Sequence, residues 1–201
     1  KTNADGNEEW SNTYDYSQND VGWDIEESLS GGYIIVGASS VASNGGDGDT
    51  YILKIDSSGN FEWDKSFTSD NEGDDYNNQN TPNHPFNDYL YGRMTVNNTS
   101  DNGYVISTRN NTFKVNSSGN YVWHYEHGGG SCSVVNSDGS IVVLTRNRLI
   151  GLDENGSEQW SNSFGVSSSY ENWSLEKTND GGYIVGGTTE DYNVFAKDMY
   201  L

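Results

Sequence analysis

The sequence predicts an all-β fold built from four repeats of one short antiparallel unit. Two sequence blocks recur four times along the 201 residues. In the first block a Gly stands four residues before a Trp, and the four copies end at Trp10, Trp63, Trp123 and Trp160. The second block is a turn followed by a β-branched run, and its copies lie at 31–39, 102–109, 138–146 and 181–188. Internal repetition is typical of proteins that stack copies of one supersecondary unit.

The first complete repeat predicts four strands, at 23–29, 32–39, 49–56 and 61–67. The two middle runs are rich in Ile, Val, Leu and Tyr, and clusters of Gly, Asn, Asp and Ser bound them, as is typical of short strands. The segment 56–60, Asp-Ser-Ser-Gly-Asn, predicts a hairpin turn, because Asp and Asn bond to their own backbone and Gly accepts a positive φ. No helical period of useful length appears, so we expect almost no helix.

A four-stranded unit buries only one face by itself, so we expect the repeats to stack on one another. Radial stacking gives a β-propeller, and a sandwich or a solenoid is the alternative. The recurring Trp favours the propeller, because a large flat ring on the outer strand can wedge against the next blade. The sequence therefore predicts an all-β, four-bladed β-propeller-like domain with four short antiparallel strands per blade, in which the four Trp residues dock the blades.

The last blade is predicted to be split between the two ends of the chain. Residues 193–201 followed by 1–10 read as a third strand, a hairpin and a fourth strand. We expect one domain, 1–201, with repeat units at about 15–67, 68–127, 128–164 and 165–201, the last completed by 1–14. The joint between the two ends would consist of Lys1, Thr2, Trp10, Tyr200 and Leu201.

The N-terminal segment has more than one way to complete that blade. It completes either its own last blade or that of a neighbouring molecule, since natural proteins do not leave a sheet edge bare. The second arrangement adds a strand through backbone hydrogen bonds, and a head-to-tail contact that does not close generates a fibre. Half of an eight-bladed ring, made by two chains or two segments, is a further arrangement.

Two of these blocks carry a resemblance to a known family. The blocks 54–63 and 151–160 resemble the tryptophan-docking repeat of quinoprotein-like propellers. The run 181–187, Gly-Gly-Tyr-Ile-Val-Gly-Gly, is similar to propeller repeats in secreted and cell-surface proteins of archaea and bacteria. The resemblance covers essentially the whole chain and implies the fold. It implies no particular function, because propellers serve as enzymes, binding modules and spacers alike.

The composition restricts the partners and the location. Thirty acidic against ten basic residues give a net charge of −20, which repels phosphate, so we expect no nucleic-acid partner. No apolar run reaches the roughly 18 residues of a membrane helix. Cys132 is the only cysteine, so no internal disulfide forms. The chain begins at Lys1 without an initiator Met, which we interpret as a processed product or a segment, and its Asn- and Ser-rich, Lys-poor composition indicates an extracellular or cell-surface protein.

The sequence indicates neither an enzyme nor a cofactor. The histidines, His84, His124 and His127, lack metal-ligand spacing and fit packing or solvated roles. No Gly-x-Ser-x-Gly nucleophile motif occurs. The cofactor ligands that a quinoprotein places at its ring centre are not recognisable either.

Two acidic loops, 38–50 and 68–92, suggest the alternative of a binding module. In a propeller these loops emerge on the same face, and clustered carboxylates suit calcium, which takes six to eight oxygen ligands. The candidate ligands are Asp47, Asp49, Asp74 and Asp75. Aromatic side chains interleaved with them would also suit a carbohydrate; they are Tyr76, Phe86, Tyr89 and Tyr91.

Six sequons permit N-glycosylation, at Asn97, Asn98, Asn110, Asn116, Asn155 and Asn172. So many arise by chance in a chain this rich in Asn, Ser and Thr, so their number is not evidence for glycans. The sequence as a whole predicts a non-catalytic structural or adhesive building block of an extracellular assembly that associates with itself head to tail. The alternative is a carbohydrate- or calcium-binding propeller module.

Overall fold

The computed structural model describes residues 1–16, 20–39, 49–67, 94–164, 170–191 and 196–200. Within these ranges the chain forms fifteen strands in four antiparallel sheets, and it contains no helix that could cross a membrane. Three sheets have four strands each, and the described part of the fourth has three. The predicted all-β, four-bladed β-propeller-like architecture is confirmed.

Each sheet is built from strands that are consecutive in the chain. The first contains β1 (Val21–Glu27), β2 (Tyr33–Ser39), β3 (Asp49–Ile55) and β4 (Phe61–Phe67). The second contains β5 (Thr95–Asn98), β6 (Tyr104–Ser107), β7 (Asn111–Val115) and β8 (Tyr121–Glu126). The third contains β9 (Gly130–Val135), β10 (Ile141–Thr145), β11 (Arg148–Leu152) and β12 (Glu158–Ser163). The fourth contains β13 (Tyr170–Lys177), β14 (Tyr183–Asp191) and β15 (Ala196–Tyr200). We call these sheets blades 1 to 4.

The predicted hairpin turn joins the third strand of a blade to the fourth. In blade 1 the side-chain oxygen Oδ1 of Asp56 accepts hydrogen bonds from the backbone N–H groups of Ser58 and Asn60, each at 2.8 Å. Gly59 has a φ of +82° and donates its N–H to the Asp56 carbonyl at 3.1 Å. Blades 2 and 3 repeat the turn around Asn116 and Asp153. The residue types of the repeat therefore encode this turn locally.

A β-bulge precedes the recurring Trp in each four-stranded blade. Trp63 pairs with Lys54 and Phe61 pairs with Ile55, so Glu62 is an extra residue on the outer strand. The same shift precedes Trp123 and Trp160. A bulge increases the local twist and re-aims the side chains that follow it. The Trp of each of these three blades therefore follows the same local change of twist.

The first strand of blade 1 begins earlier than the sequence predicts. It covers Val21–Glu27 instead of 23–29, and it ends where the next turn begins. In that turn Ser28 donates its backbone N–H to the Gly32 carbonyl at 2.9 Å. The last two residues of the predicted strand, Ser28 and Leu29, therefore lie in this turn and not in β1.

The hydrophobic core lies between blades. The first strands of successive blades are neighbours, with β5 between β1 and β9, and β13 beside β9. Between blades 1 and 2, the buried side chains of Ile34 and Val36 meet those of Val96, Tyr104 and Phe113. Similar clusters lie between blades 2 and 3 and between blades 3 and 4. Each blade is therefore stabilised mainly by the blades beside it, as expected for a repeat protein.

Candidate functional site

The Trp residues of blades 1 and 2 each lie against a Gly of the following blade. A Cβ atom added to Gly119 would lie 2.6 Å from the ring of Trp63, and one added to Gly156 would lie 2.6 Å from the ring of Trp123. The indole Nε1 of Trp123 also donates to the Glu154 carbonyl at 3.0 Å. Only a residue without a side chain allows this approach, so each ring is seated on the hairpin turn of its neighbour.

The N-terminal segment, which we define as residues 1–16, contains a fourth copy of the hairpin. The side chain of Asn3 accepts hydrogen bonds from the backbone N–H groups of Asp5 and Asn7, at 3.0 and 2.9 Å. A bridge between Thr2 and Glu8 closes the hairpin. These bonds match those around Asp56, so this segment folds as the end of a third strand, the turn and the start of a fourth.

The N-terminal segment packs on blade 1. The ring of Trp10 lies where a Cβ of Gly59 would be only 2.8 Å away. The amide of Asn12 and the hydroxyl of Tyr14 both donate to the Gly59 carbonyl, at 2.7 and 2.6 Å. Trp10 therefore meets blade 1 as Trp63 meets blade 2. The segment occupies the place that the outer strand of a preceding blade would take.

Trp160, the fourth predicted docking residue, has a different environment. Its ring covers Gly151 of its own blade, where an added Cβ would lie 2.2 Å from the indole, and the residue is 37% exposed. If the N-terminal segment completed blade 4, the pattern of the other junctions would place Trp160 on Gly6, the hairpin glycine of that segment. A Cβ added to Gly6 would meet nothing within 4 Å. The structure therefore does not bring Trp160 and Gly6 together.

The predicted joint between the two ends is not formed within the described part of the chain. In the described part of the chain, β15 pairs with β14, and no ladder joins it to the N-terminal segment. Lys1 and Thr2 lie in the N-terminal hairpin, where the Lys1 side chain forms an ion pair with Glu9. Tyr200 pairs with Gly187 at the end of β15. Leu201 lies outside the described residues.

Two lysines are buried in the blades with acidic partners. Lys54 is 2% exposed, and its Nζ donates to the Glu62 carboxylate at 2.9 Å and to the carbonyls of Gly31 and Ile55. In blade 2 the Nζ of Lys114 donates to the carboxylate of Asp101 at 2.8 Å. Neither pair was predicted from the sequence, although a Lys recurs before the hairpin turn and was a signal for both.

The Lys114 pair shifts the ionisation of its acid. Partial burial raises the pKa of Asp101, but hydrogen bonds from Lys114, Thr99 and the Gly103 backbone outweigh it and lower the pKa to about 2. The carboxylate of Asp101 therefore stays charged at neutral and mildly acidic pH. Both lysine pairs lie in turns and strands that hold a blade together, so their role is structural.

One buried chain of polar groups joins three side chains of blade 2. The hydroxyls of Ser107 and Thr112 are 2.8 Å apart, and the Thr112 hydroxyl lies 3.1 Å from Nε2 of His127. Burial lowers the pKa of His127 to about 4, so the imidazole is neutral at pH 7. All three residues are buried, so none presents a nucleophile to a solvent-borne substrate. The sequence left a packing and a solvated role open for His127, and this geometry fits the packing role.

Only two of the remaining predicted side chains lie within the described residues. His124 lies on β8, where its Nδ1 is 2.7 Å from the hydroxyl of Tyr121. Of the calcium candidates the structure describes only Asp49, which pairs with Ser39 at the start of β3. The other candidate ligands, the interleaved aromatic residues and His84 fall outside the described residues. Within the described ranges, no three His, Cys, Asp or Glu side chains converge as a metal site would require.

The sequons differ in how their amides are used. The amide of Asn97 donates to the Ser133 carbonyl of the next blade at 3.0 Å, and that of Asn98 donates to the Glu27 carbonyl of the previous one at 2.9 Å. A glycan on either nitrogen would remove a bond between blades. Asn110 is half-buried beside Gly129, whereas Asn116 and Asn155 are exposed in hairpin turns. Asn172 lies on β13.

Comparison with known proteins shows the fold alone. No family model matches the chain, and no curated protein matches it. A protein of unknown function from Bacteroides caccae superposes with a TM-score of 0.50 and 11% identity, over 92% of this chain and 62% of that one. The extracellular domain of a putative one-component system from B. thetaiotaomicron superposes with a TM-score of 0.51 and 13% identity, over 90% of this chain and 23% of that one. The WD40 domain of Neurospora crassa Pan2 superposes with a TM-score of 0.41 and 13% identity, over 83% of this chain and 48% of that one.

One of these chains is described as an extracellular domain and another as a WD40 domain, and this chain spans less than two thirds of the length of each of the three. Identities this low leave activity, substrate and partner open to proposal.

Proposed function

We propose that this chain is a non-catalytic structural or adhesive building block of an extracellular or cell-surface assembly, whose copies join head to tail. One observation carries the proposal. The N-terminal segment is folded as the outer strand and hairpin of a preceding blade and packs on blade 1, while the described part of blade 4 has three strands. A donor strand and an acceptor edge thus lie at opposite ends of one chain.

The chemistry of the two ends supports this pairing. The outer edge of a sheet carries unpaired N–H and C=O groups, and an added strand satisfies them with backbone hydrogen bonds. Residues 1–16 already hold the bulge and the Asx turn that every outer strand of this fold uses. The donor is therefore preorganised, which reduces the conformational entropy lost when it binds.

Surface charge and location fit the same proposal. With a net charge of −20, the copies repel one another at low salt and stay soluble outside the joint. One structurally similar chain is itself an extracellular domain. The buried hydroxyl and imidazole groups of blade 2 serve packing, in line with a role that does not involve catalysis.

The test is the mass of the chain in solution. In sedimentation velocity at 0.15 M and 0.5 M salt, the full chain should associate as its concentration rises, and a variant lacking residues 1–12 should stay monomeric. A peptide of residues 1–16 added in excess should dissociate the assembly by occupying the acceptor edge. The control is the same peptide with Asn12→Pro and Thr13→Pro, which removes two successive backbone donors. Association that persists without residues 1–12 would refute the proposed joint.

A further inference from the structure

The three blade junctions of this chain share one packing pattern. The second strand of each blade points an apolar side chain into the following blade: Ile34 from blade 1, Val105 from blade 2 and Val142 from blade 3. All three are buried. Ile34 packs in one cluster with Val96 of blade 2, and Val142 packs in another with Leu175 of blade 4. A blade thus has one face that packs forward and one that packs backward.

The two ends of the array expose the residues that occupy these positions. Ile184 of blade 4 pairs with Glu176 as Ile34 pairs with Glu26, so it is the forward residue of blade 4, yet it is 51% exposed. Ile25 of blade 1 takes the place of Val96 and Leu175, yet it is 57% exposed. Among the described residues, β13 does not pack beside β1 as the other neighbouring first strands do. Two complementary faces are therefore open.

Polar groups at the two faces complement each other in the same way. At the junction of blades 1 and 2, the hydroxyls of Ser28 and Tyr104 are 2.7 Å apart. At the junction of blades 3 and 4, the amide of Asn136 donates to the Tyr183 hydroxyl at 2.9 Å. In the repeat, Tyr33 of blade 1 stands at the position of Tyr104 and Tyr183, because each opens the second strand after the same turn.

The partner position of that polar pair is also present. Thr178 of blade 4 begins the turn before β14, as Ser28 does before β2 and Asn136 before β10. The Thr178 hydroxyl donates to the Asp180 carboxylate, so its oxygen can accept a hydrogen bond from the Tyr33 hydroxyl of the other open face. The exposed ring of Trp160 and the uncovered Gly6 form a third complementary pair at the same two ends.

We infer that a second copy of this chain covers both open faces, so that blade 4 of each copy packs on blade 1 of the other. In this interface Ile184 faces Ile25, Thr178 bonds to Tyr33, and Trp160 moves from Gly151 to the hairpin of Gly6. The inference rests on the proposed head-to-tail joint and names its side-chain surface and its stoichiometry. The partner is a second copy because the missing neighbour of each face has the features that the other face supplies.

Two copies are enough to close this assembly. A head-to-tail contact generates a ring when its rotation closes and a fibre when it does not. Propellers typically contain four to eight blades, so two arrays of four blades complete one eight-bladed ring without an open face. The dimer should strengthen with salt, because each copy carries a net charge of −20.

The test uses a matched pair of charge substitutions. Ile184→Lys and Ile25→Glu each place a charge at one face of the interface, and both positions are exposed in the single chain, so both variants should fold. The control is Val122→Lys, which changes an exposed apolar residue on the outer strand of blade 2, away from both faces. Sedimentation equilibrium then measures the mass of each variant and of mixtures.

We expect the unmodified chain and the Val122→Lys variant to form dimers of twice 22.2 kDa. Each Ile variant alone should dimerise at least tenfold more weakly. An equimolar mixture of the two should regain dimers, because one interface then holds a Lys–Glu pair and the other is unmodified. This rescue distinguishes the ring from a nonspecific loss of stability.

Each other outcome overturns a defined part of the argument. A monomeric unmodified chain overturns both the head-to-tail joint and this interface. Dimers that the two Ile substitutions leave unchanged overturn the interface alone, with strand donation remaining as the joint. Open-ended polymers that the Ile substitutions weaken overturn the two-copy ring.

Discussion

Substituting Ala for Gly119 tests whether the seat of a Trp ring stabilises the junction between blades. Two costs add at this position. The φ of Gly119 is +76°, and an L-residue in that region costs about 1–2 kcal/mol. The new Cβ would also lie 2.6 Å from the Trp63 ring and 2.8 Å from the Lys65 stem, so the ring must move. Overpacking of this kind costs about 1–3 kcal/mol. We expect a total loss of about 2–5 kcal/mol.

Gly139→Ala is the matched control. Gly139 occupies the same position in a turn with the same backbone bonds, and its φ is +86°. A Cβ there would meet only the Glu154 side chain at 3.5 Å, which is an ordinary contact. The free energy of unfolding of this variant should therefore fall only by the backbone cost, about 1–2 kcal/mol. The difference between the two variants isolates the cost of displacing the Trp63 ring.

The assays are urea unfolding and thermal unfolding, both followed by far-UV circular dichroism and Trp fluorescence. For a domain of about 200 residues, about 1–3 kcal/mol between the variants corresponds to a melting difference of roughly 2–12 °C. In a Trp63→Leu background Gly119→Ala should cost no more than Gly139→Ala, because the ring that it displaces is gone. Equal losses for the two Gly variants in the unmodified background would falsify the proposed role of the ring.

Three further predictions concern buried polar groups and the thiol. Because the pKa of His127 is about 4 in the folded chain and about 6.5 when unfolded, the unfolded state binds the proton first. The free energy of unfolding should be constant above pH 7 and fall by about 3 kcal/mol between pH 6.5 and 4. This fall should be absent in the His127→Gln variant, and urea titrations at each pH measure it. Glu62→Gln should cost about 1–2 kcal/mol because Lys54 keeps its two carbonyl partners but loses its counter-charge, whereas the exposed control Glu154→Gln should cost almost nothing; an equal loss in both would contradict the pairing. Cys132 is 6% exposed, so a thiol reagent should label it only at the unfolding rate, and fast labelling of the folded chain would contradict its burial.

Local structure followed from the sequence where neighbouring residues decide it. The Asx turn at Asp56 needs only its own side chain and a Gly three residues later, so it could be predicted from five residues. The strands β2, β3 and β4 were predicted to within one residue for the same reason. The exception is β1, where the turn at Ser28 ends the strand early. There the competition between a strand and a turn depends on which backbone partners are near.

The candidate site could be predicted only in part. The Trp residues were identified as contacts between blades, and three of them lie on a hairpin Gly. The exposed faces at Ile184 and Ile25 gave no signal, because these residues are as apolar as their buried counterparts in the other blades. The buried chain from Ser107 to His127 also gave none, since its members come from three separate points of the blade.

The sequence by itself determined the repeat, its turns and the number of blades, because each of these depends on contacts within about ten residues of chain. Only the tertiary structure decided which faces of the array are covered. Whether a β-branched residue is buried depends on the presence of a neighbouring sheet. The Ile of the Gly-Tyr-Ile run is buried in blade 1, which faces blade 2, and exposed in blade 4, which has no following blade among the described residues. The hydrophobic effect acts on surface that packing removes from water, and the packing of distant segments is not written in any single repeat.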